Sequence, residues 1–296
     1  MRILITGAKG QLGTQLSEIL KIGKTELGDI PECFIGAEVY GYSSKELDVS
    51  DLSAVRAAAA RIKPDIIINS AAYTNVDGCE TDRDRAFRVN ALGPRNLAMV
   101  AEEIGARLIH ISTDYVFSGT GNVPFAEYDL TDPQSIYGKS KLAGEENVKT
   151  FCSRHFIVRT SWLYGLYGGN FVKTIMKAGK ERGALQVVDD QTGNPTNVED
   201  LCHHILKLAE TEEYGVYHCT GAGECSWYDF ASLIIEYAGI EATVAPVSTD
   251  QFPRPARRPA YSSLDNMMLR VTVGDNMRPW QDALKSFMIS FEKMQQ

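Results

Sequence analysis

No stretch of the 296-residue sequence stays apolar for the roughly 20 residues that a bilayer-spanning helix needs; runs such as Ile66-Ile67-Ile68 end quickly. The opening residues pass from Met1-Arg2 through Ile3-Leu4-Ile5 directly into glycine-rich sequence, so the long apolar core of a secretory signal is missing there too. Positive charge is scarce. Thirty Lys and Arg against 38 Asp and Glu leave a net charge of −8, which disfavours a nucleic-acid partner but leaves room for a local basic cluster holding a small anion. The six cysteines include no Cys-x-x-Cys pair and read as reduced, mostly buried thiols. Asn194 is followed by Pro195, which removes the one candidate glycosylation acceptor. Neither a Gly-x-Ser-x-Gly elbow nor a helical pair of histidines at metal-binding spacing occurs, and His203-His204 are adjacent. These absences predict a cytoplasmic protein with no membrane partner and no metal site that the sequence supports.

What is present is a rhythm. Strand-length apolar runs at Arg2–Thr6, Glu38–Tyr42, Asp65–Asn69, Arg107–Ser112 and His155–Thr160 alternate with helical periods at Gln11–Lys21, Leu52–Ile62, Arg83–Gly105 and Ser135–Phe151. Repeated strand–helix units imply parallel strands joined by right-handed crossovers, hence an α/β fold with a Rossmann-type doubly wound parallel sheet. Beyond Thr160 the pattern loosens into glycines, a polar loop at Asp189–Thr196, helices at Val198–Thr211 and Trp227–Ala238, a Pro- and Arg-rich loop at Phe252–Pro259, and a last helix opened by Pro279. The expected division is a dinucleotide-binding domain of residues 1–160 plus about 190–215, and a smaller, irregular α/β lobe of about 161–189 and 216–296.

Chemistry concentrates at two places. Thr6-Gly7-Ala8-Lys9-Gly10-Gln11-Leu12-Gly13 joins the first strand to the first helix, where Gly7, Gly10 and Gly13 suit a tight turn, backbone contact with a pyrophosphate and close helix packing. The second strand ends in Tyr42-Ser43-Ser44-Lys45 without a carboxylate for the ribose hydroxyls. Ser43, Ser44 and Lys45 suit a 2′-phosphate or form a solvated turn, so NADPH is favoured with NADH open. Asp48 caps the next helix or reaches the adenine. In the second place, Tyr137 and Lys141 stand four apart on one helical face. An ammonium one turn from a phenol lowers its pKa, which equips Tyr137 to protonate a ketone oxygen as hydride reaches the carbon. Ser112-Thr113-Asp114-Tyr115 closes the fourth strand at the ligand-binding edge, where a hydroxyl hydrogen-bonds the same oxygen or caps a turn.

Together with Asn69-Ser70-Ala71-Ala72-Tyr73 and Asn90, these motifs resemble the extended short-chain dehydrogenase/reductase superfamily. The segments Ser112–Phe117, Arg159–Gly165, Asp190–Thr196 and Arg258–Leu264 extend the likeness to the dTDP-4-dehydrorhamnose reductase family over essentially the whole chain. The resemblance implies Thr113, Tyr137 and Lys141 as the catalytic trio, with Lys141 also holding the nicotinamide ribose. It implies that Gly7, Gly10, Gln11, Leu12, Asp48, Val49, Ala71, Ala72 and Tyr73 line the cofactor. Thr74, Val76 and Trp162 would touch the deoxysugar, and Arg258 the nucleotide diphosphate. The implied reaction reduces the 4-keto group of dTDP-4-dehydro-β-L-rhamnose, in the synthesis of a nucleotide sugar for cell-surface polysaccharide. It leaves a homodimer and an interface Mg2+ open, and no residue pattern places either. The cluster Arg254, Arg257 and Arg258 supplies the local positive charge that a diphosphate needs on an acidic protein. Gly23–Phe34 stands out as an insertion before the second strand. Two rivals stay open: a related sugar-nucleotide epimerase or dehydratase that retains NAD, and a non-catalytic regulatory subunit.

Overall fold

In the computed structural model, which describes residues 1–295, the central sheet is built from β1 (Arg2–Thr6), β2 (Glu38–Tyr42), β3 (Ile66–Asn69), β4 (Arg107–Thr113), β5 (His155–Thr160) and β6 (Gly215–His218). All neighbours are parallel, in the order β6-β5-β4-β3-β1-β2. The chain therefore turns to one side after β1 and to the other with β3, which opens a crevice at their carboxyl ends. Strand alternation explains why both faces are covered. Ile3, Ile5, Ile66, Ile68, Phe156 and Val158 face α1 (Gln11–Ile22) and the later helix α6 (Val198–Glu210). Leu4, Ile67, Leu108 and Ile157 face α2 (Leu52–Ile62), α3 (Gly93–Ile104) and the end of α4 (Ile136–Phe151). A second core gathers α5 (Phe171–Arg182), α7 (Trp227–Tyr237), α8 (Trp280–Gln295) and a parallel pair of strands, Ala184–Val188 with Thr243–Val247.

Three sequence expectations change. β6 lies in the central sheet beside β5, whereas the expected division places residues from about 216 onward in the smaller lobe. Four residues are too few for a period, and only the pairing reveals the strand. Leu269 and Met277 join the same core as α1 and α6, so the sheet domain also takes a late segment. The helix expected over Arg83–Gly105 is broken: Arg83–Phe87 is α-helical, Arg88–Leu92 is a π-turn, and α3 follows. This wide turn seats Asn90, whose side chain accepts from Tyr73 N–H (2.8 Å) and donates to the Tyr73 carbonyl (3.1 Å) and Ser140 hydroxyl (3.0 Å). The Gly23–Phe34 insertion is a clasp. It forms a hairpin and a short 3-10 turn, buries Ile30 and Phe34 against the sheet core, and sends Glu26 to Arg278 at 2.7 Å. Among the described residues no helix is long and apolar enough to cross a membrane.

One ion pair sits inside this frame. Arg159 on β5 and Glu145 on α4 are 2% and 0% exposed. The guanidinium donates to the carboxylate at 2.7 Å and 3.0 Å, and Ser112 on β4 donates to it at 2.5 Å. Removing one member leaves a buried charge without its counter-charge, whereas replacing both with apolar side chains removes the desolvation cost as well. Arg159→Met is expected to cost about 3–5 kcal/mol. The double variant Arg159→Met/Glu145→Leu should recover most of that loss, as read from urea unfolding midpoints.

Candidate active site

The turn after β1 is shaped by contact rather than by side chains. Gly7 has φ +69°, and a Cβ on it would lie 2.8 Å from the backbone of Ser70 and Ala71, which leave β3 alongside. Gly13 is packed inward: its Cβ would meet the Gly7 carbonyl at 2.5 Å, so it sets the depth of α1 rather than the wall of the cleft. Gly10 caps α1 with no side-chain hydrogen bond, and no acidic residue occupies the first turn. The first amides of α1 are thus presented with their partial positive charge to the crevice, as an anion site requires.

A cleft of about 780 Å³ runs from this turn along the carboxyl ends of the strands. Its wall includes Gly7, Gly10, Gln11, Leu12, Ser43, Asp48, Val49, Ala71 and Ala72 at one end, and Thr74, Val76, Thr113, Tyr137, Lys141 and Trp162 towards the other. Tyr73 stays off the wall, its amide tied to Asn90. Lys45 is not on the wall either; Lys9 and Ser44 are. The Ser43 amide and hydroxyl both donate to Glu46, at 2.9 Å and 2.5 Å. Asp48 faces the cleft and accepts from the Ser50 amide (2.9 Å) and hydroxyl (2.7 Å), but it does not cap α2: that cap is Asp51, which accepts from Ser53 and Ala54 N–H. Arg258 lies beside the cleft rather than in its wall, donating to Asp77 at 2.9 Å and to the Tyr115 hydroxyl at 3.3 Å.

The trio converges because α4 approaches the end of β4 very closely. Ser135 caps α4 by accepting from Gly138 N–H at 3.1 Å, and a Cβ at Gly138 would strike the Tyr115 carbonyl. Tyr137 packs edge-on against Tyr115, with ring centroids 5.4 Å apart. Thr113 accepts from Tyr115 N–H at 3.3 Å and donates to Asp114 at 2.8 Å, with the Tyr137 phenol nearby. The Lys141 ammonium donates to the Ile111 carbonyl at 2.6 Å. Burial pushes the Tyr137 phenol well above its ordinary value, with the nearby Thr113 hydroxyl opposing and the Asp114 charge adding to the rise. Burial also brings Lys141 down to about 8, with Glu145 opposing, because the ammonium is itself short of water.

Trp162, at the unusual φ of +46°, stacks flat on Trp227 at 3.5 Å between ring centroids. Trp227 also lines the cleft, and sequence reasoning missed it, as it missed Lys9 and Tyr115. Lys9 carried a signal, lying between two of the motif glycines. Trp227 carried none, since only the packing of the second core brings it to Trp162. Among the described residues no three His, Cys, Asp or Glu side chains gather as a metal would require.

Comparison with known proteins covers the whole of this architecture. The family described as RmlD substrate binding domain matches residues 1–293. The spore coat polysaccharide biosynthesis protein SpsK of Bacillus subtilis is 40% identical over 97% of this chain and 96% of its own. A solved dTDP-4-dehydrorhamnose reductase of Clostridium acetobutylicum superposes with a TM-score of 0.93 at 46% identity, covering 99% of this chain and 100% of that one. Another, from Bacillus anthracis in complex with NADP, gives a TM-score of 0.91 at 46% identity, covering 98% and 99%.

The lysine has a consequence for stability. Its folded pKa of about 8 lies below the ordinary value of 10.5, so between those values the unfolded chain binds the extra proton and stability rises with pH. Below about pH 8 the full penalty for the buried ammonium is present. Lys141→Met is therefore expected to be more stable than the parent at pH 7, by about 1–3 kcal/mol. The gap should close as pH rises towards 10.5 in urea titrations.

Proposed function

The chain belongs to the RmlD substrate binding domain family, and on that premise we propose that it reduces the 4-keto group of dTDP-4-dehydro-β-L-rhamnose with NADPH. The observation that carries this reading is the meeting of the glycine turn with Thr113, Tyr137 and Lys141 in one cleft. A dinucleotide fits what is there: a turn that a Cβ at Gly7 would fill, an uncapped helix N-terminus, and a wall long enough to reach the trio. When bound, NADPH supplies the hydride. Gly7, Gly10, Gln11 and Leu12 would hold its pyrophosphate, and Asp48, Val49, Ala71 and Ala72 its adenosine end. Ser43, Ser44 and Lys9 would take the 2′-phosphate, with Ser43 exchanging Glu46 for it, and this is the basis for preferring NADPH.

The chain's own residues then handle the oxygen. A phenol whose pKa is raised keeps its proton at neutral pH, which is the state a reduction requires. The alkoxide that forms as hydride arrives is more basic than even a raised phenolate, so transfer from Tyr137 runs downhill. Lys141 places a positive charge beside this exchange and is mostly protonated below pH 8. Thr74, Val76 and Trp162 would shape the deoxysugar site. Arg258 would exchange Asp77 for the diphosphate, with Arg257 beside it. A cytoplasmic location, where nucleotide sugars are made, accords with this reading.

The test is purified protein with NADPH and dTDP-4-dehydro-β-L-rhamnose, followed by loss of absorbance of the reduced cofactor. Tyr137→Phe is expected to lower kcat by about 10²–10⁴-fold with KM little changed. Equal turnover by the variant and the parent would overturn the assignment of Tyr137. In thermal shift, dTDP should raise Tm more than UDP or GDP.

A further inference from the structure

We propose that Asp114 is a positioning residue for this reduction: it sets which way the Thr113 hydroxyl points. The proposal rests on the reductase reading above and deepens it. A threonine hydroxyl has one hydrogen and two lone pairs. At Thr113 the hydrogen goes to Asp114 at 2.8 Å, and the oxygen faces both Tyr115 N–H at 3.3 Å and the Tyr137 phenol. While Asp114 is ionised, Thr113 has nothing left to donate to a carbonyl oxygen. Once Asp114 takes a proton, the carboxylic acid becomes the donor across the same 2.8 Å contact. The Thr113 hydrogen is then released towards the cleft that Thr113 and Asp114 both line.

The surroundings of Asp114 favour such proton uptake. The residue is 3% exposed, and its Oδ2 is buried with no hydrogen-bond partner. The cations of the region are committed elsewhere, Lys141 to the Ile111 carbonyl and Arg258 to Asp77 and the Tyr115 hydroxyl. From the elements packed around it, Asp114 is faced by Tyr115 on its own turn, Tyr137 on α4 and the Ser262 hydroxyl from the late segment. A dry carboxylate without a counter-charge is costly, and burial raises this one to about 6. The ionised form also makes Tyr137 harder to deprotonate. Protonation of Asp114 therefore frees a second donor and strengthens the first, and both effects speed reduction.

The experiment is the pH dependence of kcat/KM for reduction between pH 5.5 and 8, with Asp114→Asn and Thr113→Val beside the parent. The parent should slow by up to about tenfold per unit above a midpoint near 6. Asp114→Asn, close to the protonated acid in shape, should be flat through that window and at least match the parent at pH 7.5. Thr113→Val should be slow and should keep only the weaker slope that the Asp114 charge imposes on Tyr137, and it keeps the test decisive if the asparagine variant folds poorly. A parental slope retained in either variant overturns the proposal, because a merely structural Asp114 would leave the profile's shape alone. A parent inactive at every pH would instead sink the reductase reading itself.

Discussion

Helix α4 carries a phenol and a buried ammonium into the cleft, and one turn further on Glu145 and Arg159 neutralise one another inside the frame. Tyr137, Lys141 and Glu145 follow at intervals of four along α4, so one face carries the phenol, the cation and the anion that supports the cation. Arg159 comes from β5 and Ser112 from β4, which fixes this face against two strands at once. The same register brings Gly138 against the Tyr115 carbonyl and Gly144 against the Asn90 carbonyl, positions where any larger residue would lift the helix away. Chemistry at the cleft and packing under it are therefore one arrangement seen from two sides.

Burial is the force that sequence reasoning weighed least. The pairing of Tyr137 with Lys141 was legible from spacing, but its electrostatic outcome was not. Spacing places a charge near a phenol without saying how little water either will have. Burial moves both groups towards their neutral forms, the Tyr137 phenol up and the Lys141 ammonium down.

Elements with strong periodicity or fixed punctuation could be read directly. β2, α2 and β5 have the bounds their patterns imply, and the glycine turn stands where the first strand meets the first helix. Features decided by partners far along the chain could not. β6 is a strand only because β5 lies beside it. The π-turn at Asn90 combines a local breaker, Pro94, which has no N–H for the Asn90 carbonyl, with that side chain's bonds to Tyr73 and Ser140 far along the chain. The site divides in the same way: motif residues of the first 141 positions fall on the cleft wall with few exceptions, while the Trp162–Trp227 stack depends on a lobe whose order is written in long-range contacts.

The late arrival of β6 constrains how the molecule moves and assembles. After β5 the chain leaves for the second core, returns through α6 to lay down β6, and leaves again before ending in α8. Several covalent crossings between the two bodies replace the single flexible strap that lets domains swing like a jaw. Synthesis feels the same constraint: until the ribosome has delivered residue 218, the outer edge of β5 is an unpaired row of amides and carbonyls, exposed to pairing with a neighbouring nascent chain.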